Sequence, residues 1–386
     1  MKLNKIPRQV FVLGLISFFT DFASEMLYPV TPIFLTAVLG ASMATVGLIE
    51  GIAEVTAGLL KGYFGMLSDK LGKRSIFVLL GYGLSALVKP LPGIFPFVST
   101  VIASRTVDRV GKGIRTAPRD ALLGAHSKGN SGAIFGFHRS MDTFGAVVGP
   151  LSALLILFFL PGDYTSIYLF AIIPSVFAIY FALRVKDPVK AKIAAKKSHY
   201  KLFWKAAPAQ YKLLLLLLTI FSLVNSSDVF LILKSREIAR SDTIAILGYV
   251  FYNFVYALAS YPIGLLADKF GKKNIFIVGL FIFAFVYLGF AQLDSFFLTW
   301  VLFAFYGIYT ASTEGVTKAW VSDLIGDEYR ASAIGLLTML TGIAVMAGSF
   351  IAGILWDQFG PQVPFMVSSI VTLVIALLLL LRKNKY

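Results

Sequence analysis

Asp21 and Glu25 stand one helical turn apart in the segment SFFTDFASEMLYPV, and Tyr28 follows three residues later. Spacings of four and three put all three side chains on one helix face. Two carboxylates that close repel each other, so one of them can hold a proton and release it. Cations elsewhere in the chain can also neutralise the pair, and the residues alone leave both roles open. A second cluster, RTVDRVGKGIRTAPRD (105–120), has five basic and two acidic side chains in sixteen residues. At 100° per residue Arg105, Asp108, Arg109, Lys112, Arg115 and Arg119 share a stripe roughly 120° wide, which an irregular loop has no reason to produce. A third cluster, FGFHRSMDTFG, carries His138, Arg139 and Asp142. His138 and Asp142 have the i, i+4 spacing of a proton relay or of a simple hydrogen-bonded pair. Further along, Asp228 stands with Asn225, Ser226 and Ser227, and Glu314 with Thr310, Ser312 and Lys318. Tyr249, Tyr252, Asn253 and Tyr256 fall close to one face, where they line a cavity or pack against neighbours.

Everything around these residues is apolar. Of 386 residues, 58% are hydrophobic and 14% charged, and mean hydropathy is +0.80. Apolar runs of about 20 residues recur, the length that spans roughly 30 Å of hydrocarbon. Runs such as LLLLLLTIFSLV (213–224) lack the two-residue alternation of a membrane β-barrel. The fold class expected is therefore an all-α polytopic membrane protein. An ionisable side chain at the centre of such a span costs roughly 2.5–3.5 kcal/mol even on the lenient insertion scale, so the charges above need a reason to be there.

Twelve spans are read, at about 9–38, 43–67, 75–95, 97–121, 132–159, 165–184, 210–233, 243–266, 274–292, 295–322, 330–355 and 363–382. In this frame Arg105 falls near the bilayer midplane, Arg109 and Lys112 in the inner half, and 115–120 at the cytoplasmic exit of the fourth helix. The formal charge of +15 sits mostly in alternate loops, the positive-inside pattern. It reports topology and contact with anionic lipid headgroups rather than a nucleic-acid partner. Both termini and the basic central segment are then expected in the cytoplasm, in a multi-pass protein of the cell's inner, plasma, membrane. The expected organisation is a six-helix bundle at 1–185, a linker at 186–208 and a second bundle at 209–386. There is no cysteine, which excludes disulfides and thiolate chemistry. No His-rich cluster suggests a metal site. No nucleotide loop, nucleophile elbow or zinc motif appears, so neither an enzyme nor a cofactor is expected.

The halves repeat. GMLSDKLGKRSIF (65–77) aligns without gaps on GLLADKFGKKNIF (264–276), with eight of thirteen positions identical. This resembles the loop signature of the major facilitator superfamily. Gly65, Asp69, Gly72, Lys73 and Arg74 match it in the first half, and Gly264, Asp268, Gly271, Lys272 and Lys273 in the second. In that family the loop is a latch of the cytoplasmic gate. GAVVGP, with Gly145, Gly149 and Pro150, resembles the antiporter motif of proton-coupled exporters, although Ala153 and Leu154 stand where that motif has two glycines. PVTP (29–32) resembles a helix-one motif of twelve-helix drug–proton antiporters. In both, Gly and Pro can also serve packing alone. RVGKG (109–113) resembles part of a helix-four motif in which Arg109 would serve proton coupling. Lys112 and Arg115 replace the Gln and Gly of that motif.

The resemblance implies twelve helices in two pseudo-symmetric bundles. The implied activity is secondary transport by alternating access, with a small molecule and protons as partners and a monomer as the working unit. Proton-coupled export is the expected mode. An importer or uniporter of a small anionic or zwitterionic metabolite, or a divalent-metal exporter, is the alternative. The halves differ in charge. With Gly113 set on Gly315, Lys112 falls on Glu314, while Arg105, Asp108 and Arg109 fall on Gly307, Thr310 and Ala311.

Overall fold

A computed structural model shows a chain of helices joined by short turns, and describes residues 6–41, 43–127, 129–187, 200–226, 228–240, 242–292 and 295–381. Lys2, Lys5, Ser227, Arg382, Lys383, Lys385 and most of the basic linker lie outside the described residues. In chain order the helices are α1 (Arg8–Leu27), α2 (Val30–Ile33), a π-helical stretch (Phe34–Val38), α3 (Met43–Leu71), α4 (Ser75–Val88), α5 (Leu91–Ile94), α6 (Val98–Ala125), α7 (Ser131–Phe159), α8 (Tyr164–Phe170) and α9 (Ile172–Ala182). They continue as α10 (Tyr200–Ala206), α11 (Ala209–Val224), α12 (Val229–Ala239), α13 (Asp242–Phe270), α14 (Lys272–Gln292), α15 (Phe296–Leu324), α16 (Arg330–Phe359) and α17 (Gln362–Leu381). Helices suit hydrocarbon because each one satisfies its own backbone N–H and C=O groups.

Among the described residues nine stretches are long and apolar enough to cross a membrane. The fourth span, α6, has the length, at 28 residues, but it carries the seven charges of the 105–120 cluster and is not among the nine. With α6, α3 and the α11–α12 pair, the described helices account for the twelve expected spans.

The chain forms two compact units. The first takes residues 1–128, 141–206 and 325–339, and the second takes 129–140, 207–324 and 340–386. In the first, α6 packs against α3 and α4, and α1 against α9. An apolar core around Met26, Leu27, Phe34, Val101, Ile167 and Tyr168 closes one end. In the second, α15 packs against α13 and α14, and α14 against α17. Its core is aromatic. Phe283 and Tyr287 stack at 3.9 Å, and Phe221, Phe290, Phe303 and Phe365 extend the cluster. Leu154, Leu155, Phe158 and Phe159 of α7 remain exposed, as a lipid-facing surface requires.

Two breaks interrupt the spans at related places. The first span breaks after Leu27, with Pro29 before α2, and the seventh breaks between Val224 and Val229. The 199-residue offset between Gly65 and Gly264 sets Tyr28 and Pro29 on positions 227 and 228. Interrupted helices at corresponding places in two repeats point to the solute-binding level of a carrier.

Candidate functional site

The charged side chains of the first unit converge from α1, α4, α6 and α7. Asp21 and Glu25 on α1 are both half-buried. The charges acting on Asp21 are Asp142, Lys112, Glu25 and Arg115. Those acting on Glu25 are Lys112, Arg109, Arg105 and Asp142. Among the described residues neither acid closes an ion pair at contact distance. Tyr28 shares their face, and the Arg105 guanidinium lies 5.8 Å from the centre of its ring. The one-face arrangement expected for Asp21, Glu25 and Tyr28 is thus present, and the α6 stripe supplies the opposing cations.

The rest of the network holds this cluster in place. Lys89 of α4 lies 3.4 Å from Asp108, and its Nζ also donates to the Thr20 carbonyl at 3.5 Å. Arg115 donates to the Gly81 carbonyl at 3.3 Å and to Ser85 Oγ. Its guanidinium stacks on Tyr82 at 4.4 Å, a cation–π contact. Arg119 donates to Asp120 at 2.9 Å, to Tyr82 at 3.2 Å and to Ser17 at 3.3 Å. Ser17 in turn donates to Asp142. Buried polar groups need such partners, because each unsatisfied one costs about 1–3 kcal/mol.

This corrects one expectation. Residues 115–120 are not a solvated helix end. Arg115, Arg119 and Asp120 are all buried, and α6 continues past Pro118 to Ala125. The positive-inside rule describes loops, and these cations find their partners inside the bundle. Asp108 pairs with Lys89 at the end of α4. Lys89 is the residue the sequence reading missed, although a single lysine inside the apolar run GYGLSALVKPLPG (81–93) was a signal for it. A cavity of about 20 Å³ lies beside it, lined by Lys89, Arg105, Asp108, Ser24, Thr31 and Tyr168 among others. That is room for a water molecule, not a solute.

In α7, Gly145 and Gly149 face α1. A Cβ at Gly145 would stand 2.4 Å from the Phe18 carbonyl oxygen, and one at Gly149 2.7 Å from the Met26 amide. Only glycine permits this approach, which brings Asp142 to Ser17. Pro150 lies inside the same helix. His138 is buried on α7, in the part of that helix belonging to the second unit.

The second unit holds Arg139, Asp228 and Glu314. Arg139 pairs with Glu314 at 2.8 Å and lies 6.0 Å from the Tyr256 ring centre. Asp228 sits at the α11–α12 break and accepts hydrogen bonds from Tyr306 at 2.7 Å and Tyr252 at 3.2 Å. The expected contrast between a charged first half and a polar-aromatic second half is visible in these partners.

The repeated loops both tie helix ends together. Arg74 donates to Asp69 at 2.9 Å, and the Ser332 amide and hydroxyl donate to Asp69 at 2.7 and 2.9 Å. Asp69 thereby covers the N-terminus of α16, where unpaired amides and the helix dipole favour a carboxylate. Asp268 does the same for α7, accepting from the amides of Gly132 and Ala133, each at 2.8 Å. Lys272 bridges Asp268 and Asp323 at 3.0 and 2.7 Å. Gly72 and Gly271 turn the chain at φ of 63° and 89°, a conformation glycine adopts without strain. Gly65 and Gly264 let the backbones of Ala331 and Gly132 come close. Lys73 is exposed.

A duplicated helical membrane protein with interrupted first helices and a charged interior is a carrier in its architecture. The chain belongs to the Major Facilitator Superfamily, whose model matches residues 13–238 and 232–386. It is 36% identical to an uncharacterised MFS-type transporter of Methanocaldococcus jannaschii, over 98% of this chain and 95% of that one. It is 28% identical to the class C tetracycline resistance protein of Escherichia coli, over 35% of this chain and 34% of that protein. The solved structure of the human organic anion transporter MFSD10 shares the fold, with a TM-score of 0.81, 15% identity, and coverage of 97% of this chain and 100% of that one. The protein is a multi-pass membrane transporter of small solutes, of a family of non-enzymatic secondary carriers.

Proposed function

We propose that this transporter exports a small solute in exchange for protons, by alternating access of two six-helix bundles, 1–185 and 209–386, joined by a linker at 186–208. The reading rests on one observation. Glu25 lies in the field of Lys112, Arg109 and Arg105, and Asp21 in that of Lys112 and Arg115, and neither acid closes an ion pair among the described residues. A carboxylate in that position can gain or lose a proton without breaking a fixed partner. Each such event changes the charge presented to a solute, which makes proton and solute compete. Asp142, linked through Ser17 to Arg119, carries the charge change across to α7.

Export is supported by the motifs at Gly145, Gly149 and Pro150 and at 29–32, and by the partial likeness to a tetracycline resistance protein. Among the described side chains, the six cations of the cluster (Lys89, Arg105, Arg109, Lys112, Arg115 and Arg119) exceed its five acids (Asp21, Glu25, Asp108, Asp120 and Asp142). That surplus favours an anionic or zwitterionic solute. The protein works as a monomer in the plasma membrane, with both termini and the linker on the cytoplasmic side and basic residues against lipid headgroups.

The test uses purified protein in proteoliposomes. A thermal-shift screen of metabolites finds a ligand by the stability it confers. Flux of that ligand is then followed under an imposed pH gradient. Antiport drives solute against the proton flow. Solute moving with the protons would make the protein an importer by symport, and flux blind to the gradient would remove proton coupling.

A further inference from the structure

Asp228 has an environment unlike that of any acid in the first unit. It is half-buried and held by phenols. Tyr306 donates to Oδ1 and Tyr252 to Oδ2. The two rings lie 5.0 Å apart, with Tyr309 5.2 Å beyond Tyr306 and Tyr249 5.6 Å beyond Tyr252. Among the described residues no lysine, arginine or histidine closes an ion pair with it. Another acid, Glu314, acts on it, and Arg139 pairs with Glu314. Asp228 immediately precedes α12 (Val229–Ala239), and its carbonyl accepts from the Ile232 amide at 3.1 Å.

These features select among ligands. A carboxylate oxygen has about two acceptor positions, and each oxygen here receives a single phenol, so capacity remains for a donor. The faces of tyrosine rings attract cations. A divalent metal would need about six to eight oxygens, and one carboxylate with neutral phenols does not supply that set. A proton alone would have no use for a wall of rings. An anion would meet the Asp228 carboxylate itself.

We propose that Asp228, Tyr252 and Tyr306, with Tyr249 and Tyr309 as the wall, bind an ammonium group of the transported solute. The proposal rests on the transport reading and narrows its solute to molecules that carry a primary or quaternary ammonium.

The experiment measures binding to the purified full-length protein in detergent. Benzyltrimethylammonium is titrated against neopentylbenzene, its uncharged isostere, with protein fluorescence and melting temperature as readouts. The cation binds saturably and the isostere does not. Asp228→Asn weakens the cation by about tenfold or more, as loss of the carboxylate's Coulomb attraction for a quaternary ammonium without a hydrogen-bond donor implies. Tyr306→Leu, which removes a ring, also weakens it severalfold. Asp228→Glu retains binding. Equal binding of the two probes, no saturable binding by folded wild-type protein, or full affinity in Asp228→Asn would each overturn the site. The comparison of probes on wild-type protein stands even where a variant fails to fold. Cation binding without any solute flux in proteoliposomes would sink the transport reading and keep the site. Flux of a solute without an ammonium, with no cation binding, would do the reverse.

Discussion

Lys89 on α4 and Asp108 on α6 meet inside the first unit, Nζ to Oδ1 at 3.4 Å, with both side chains nearly inaccessible. The pair joins the third and fourth spans at the level where the charged cluster begins. Its energetics set the first prediction. Removing one partner of a buried pair strands the other and costs about 3–5 kcal/mol, whereas replacing both with apolar groups of similar volume is often neutral. Lys89→Met therefore lowers the melting temperature of the purified protein sharply, and Lys89→Met with Asp108→Leu recovers much of the loss. A double variant as unstable as the single one would show that the pair is not the source of the effect.

The acids of α1 are predicted to separate coupling from binding. Asp21→Asn and Glu25→Gln each reduce pH-driven flux by about tenfold or more, equivalent to roughly 1.4 kcal/mol or above. Exchange of solute at equal pH on both sides continues, because that reaction needs no net proton movement. Either variant driving full uphill flux would remove that residue as the carrier.

The Asp69 latch is predicted to be measurable by thiol labelling, since the native chain has no cysteine. Asp69 receives the amide and hydroxyl of Ser332. Loss of a helix cap of this kind costs about 0.5–2 kcal/mol, enough to shift an equilibrium between two conformations severalfold. Replacing Asp69 with Asn in a background carrying the S332C probe position raises the labelling rate there. The S332C background loses the Ser332 hydroxyl donor and keeps its amide, so the comparison is with the same probe position and native Asp69. An unchanged rate would mean that the Asp69–Ser332 contact does not hold this end of α16.

Gly145 and Gly149 are predicted to tolerate no side chain. Overpacking at such a contact costs about 1–3 kcal/mol when neighbours must move. Gly145→Val lowers both melting temperature and flux, because a Cβ would strike the Phe18 carbonyl and push Asp142 away from Ser17. Normal flux in a stably folded Gly145→Val protein would separate the antiporter-like motif from the charged cluster.

Much of the architecture was legible in the chain because membrane burial makes composition speak directly. Apolar runs gave the spans, the 65–77 and 264–276 repeat gave the duplication, and the stripe of α6 marked a helix rather than a loop. The reading failed at 115–120, where charges near a span's end were assigned to solvent. Nothing local distinguishes an arginine that meets headgroups from one that meets Gly81, Ser85 and Tyr82. Lys89 stands out as a lone lysine in an apolar run, but its partner Asp108 lies on a different helix, so the pairing is not legible along the chain.

The sequence by itself determined that this is a helical membrane protein of two related halves, because hydrophobic length and internal identity need no partner to be recognised. It also determined that acids and cations lie at membrane depth. Only the tertiary structure decided who faces whom. Asp142 reaches Ser17 because two glycines let α7 approach α1. Asp108 takes Lys89, and Asp228 is left among tyrosines rather than cations. Such pairings depend on helix rotation and separation of a few ångströms, quantities that periodicity along one chain does not contain.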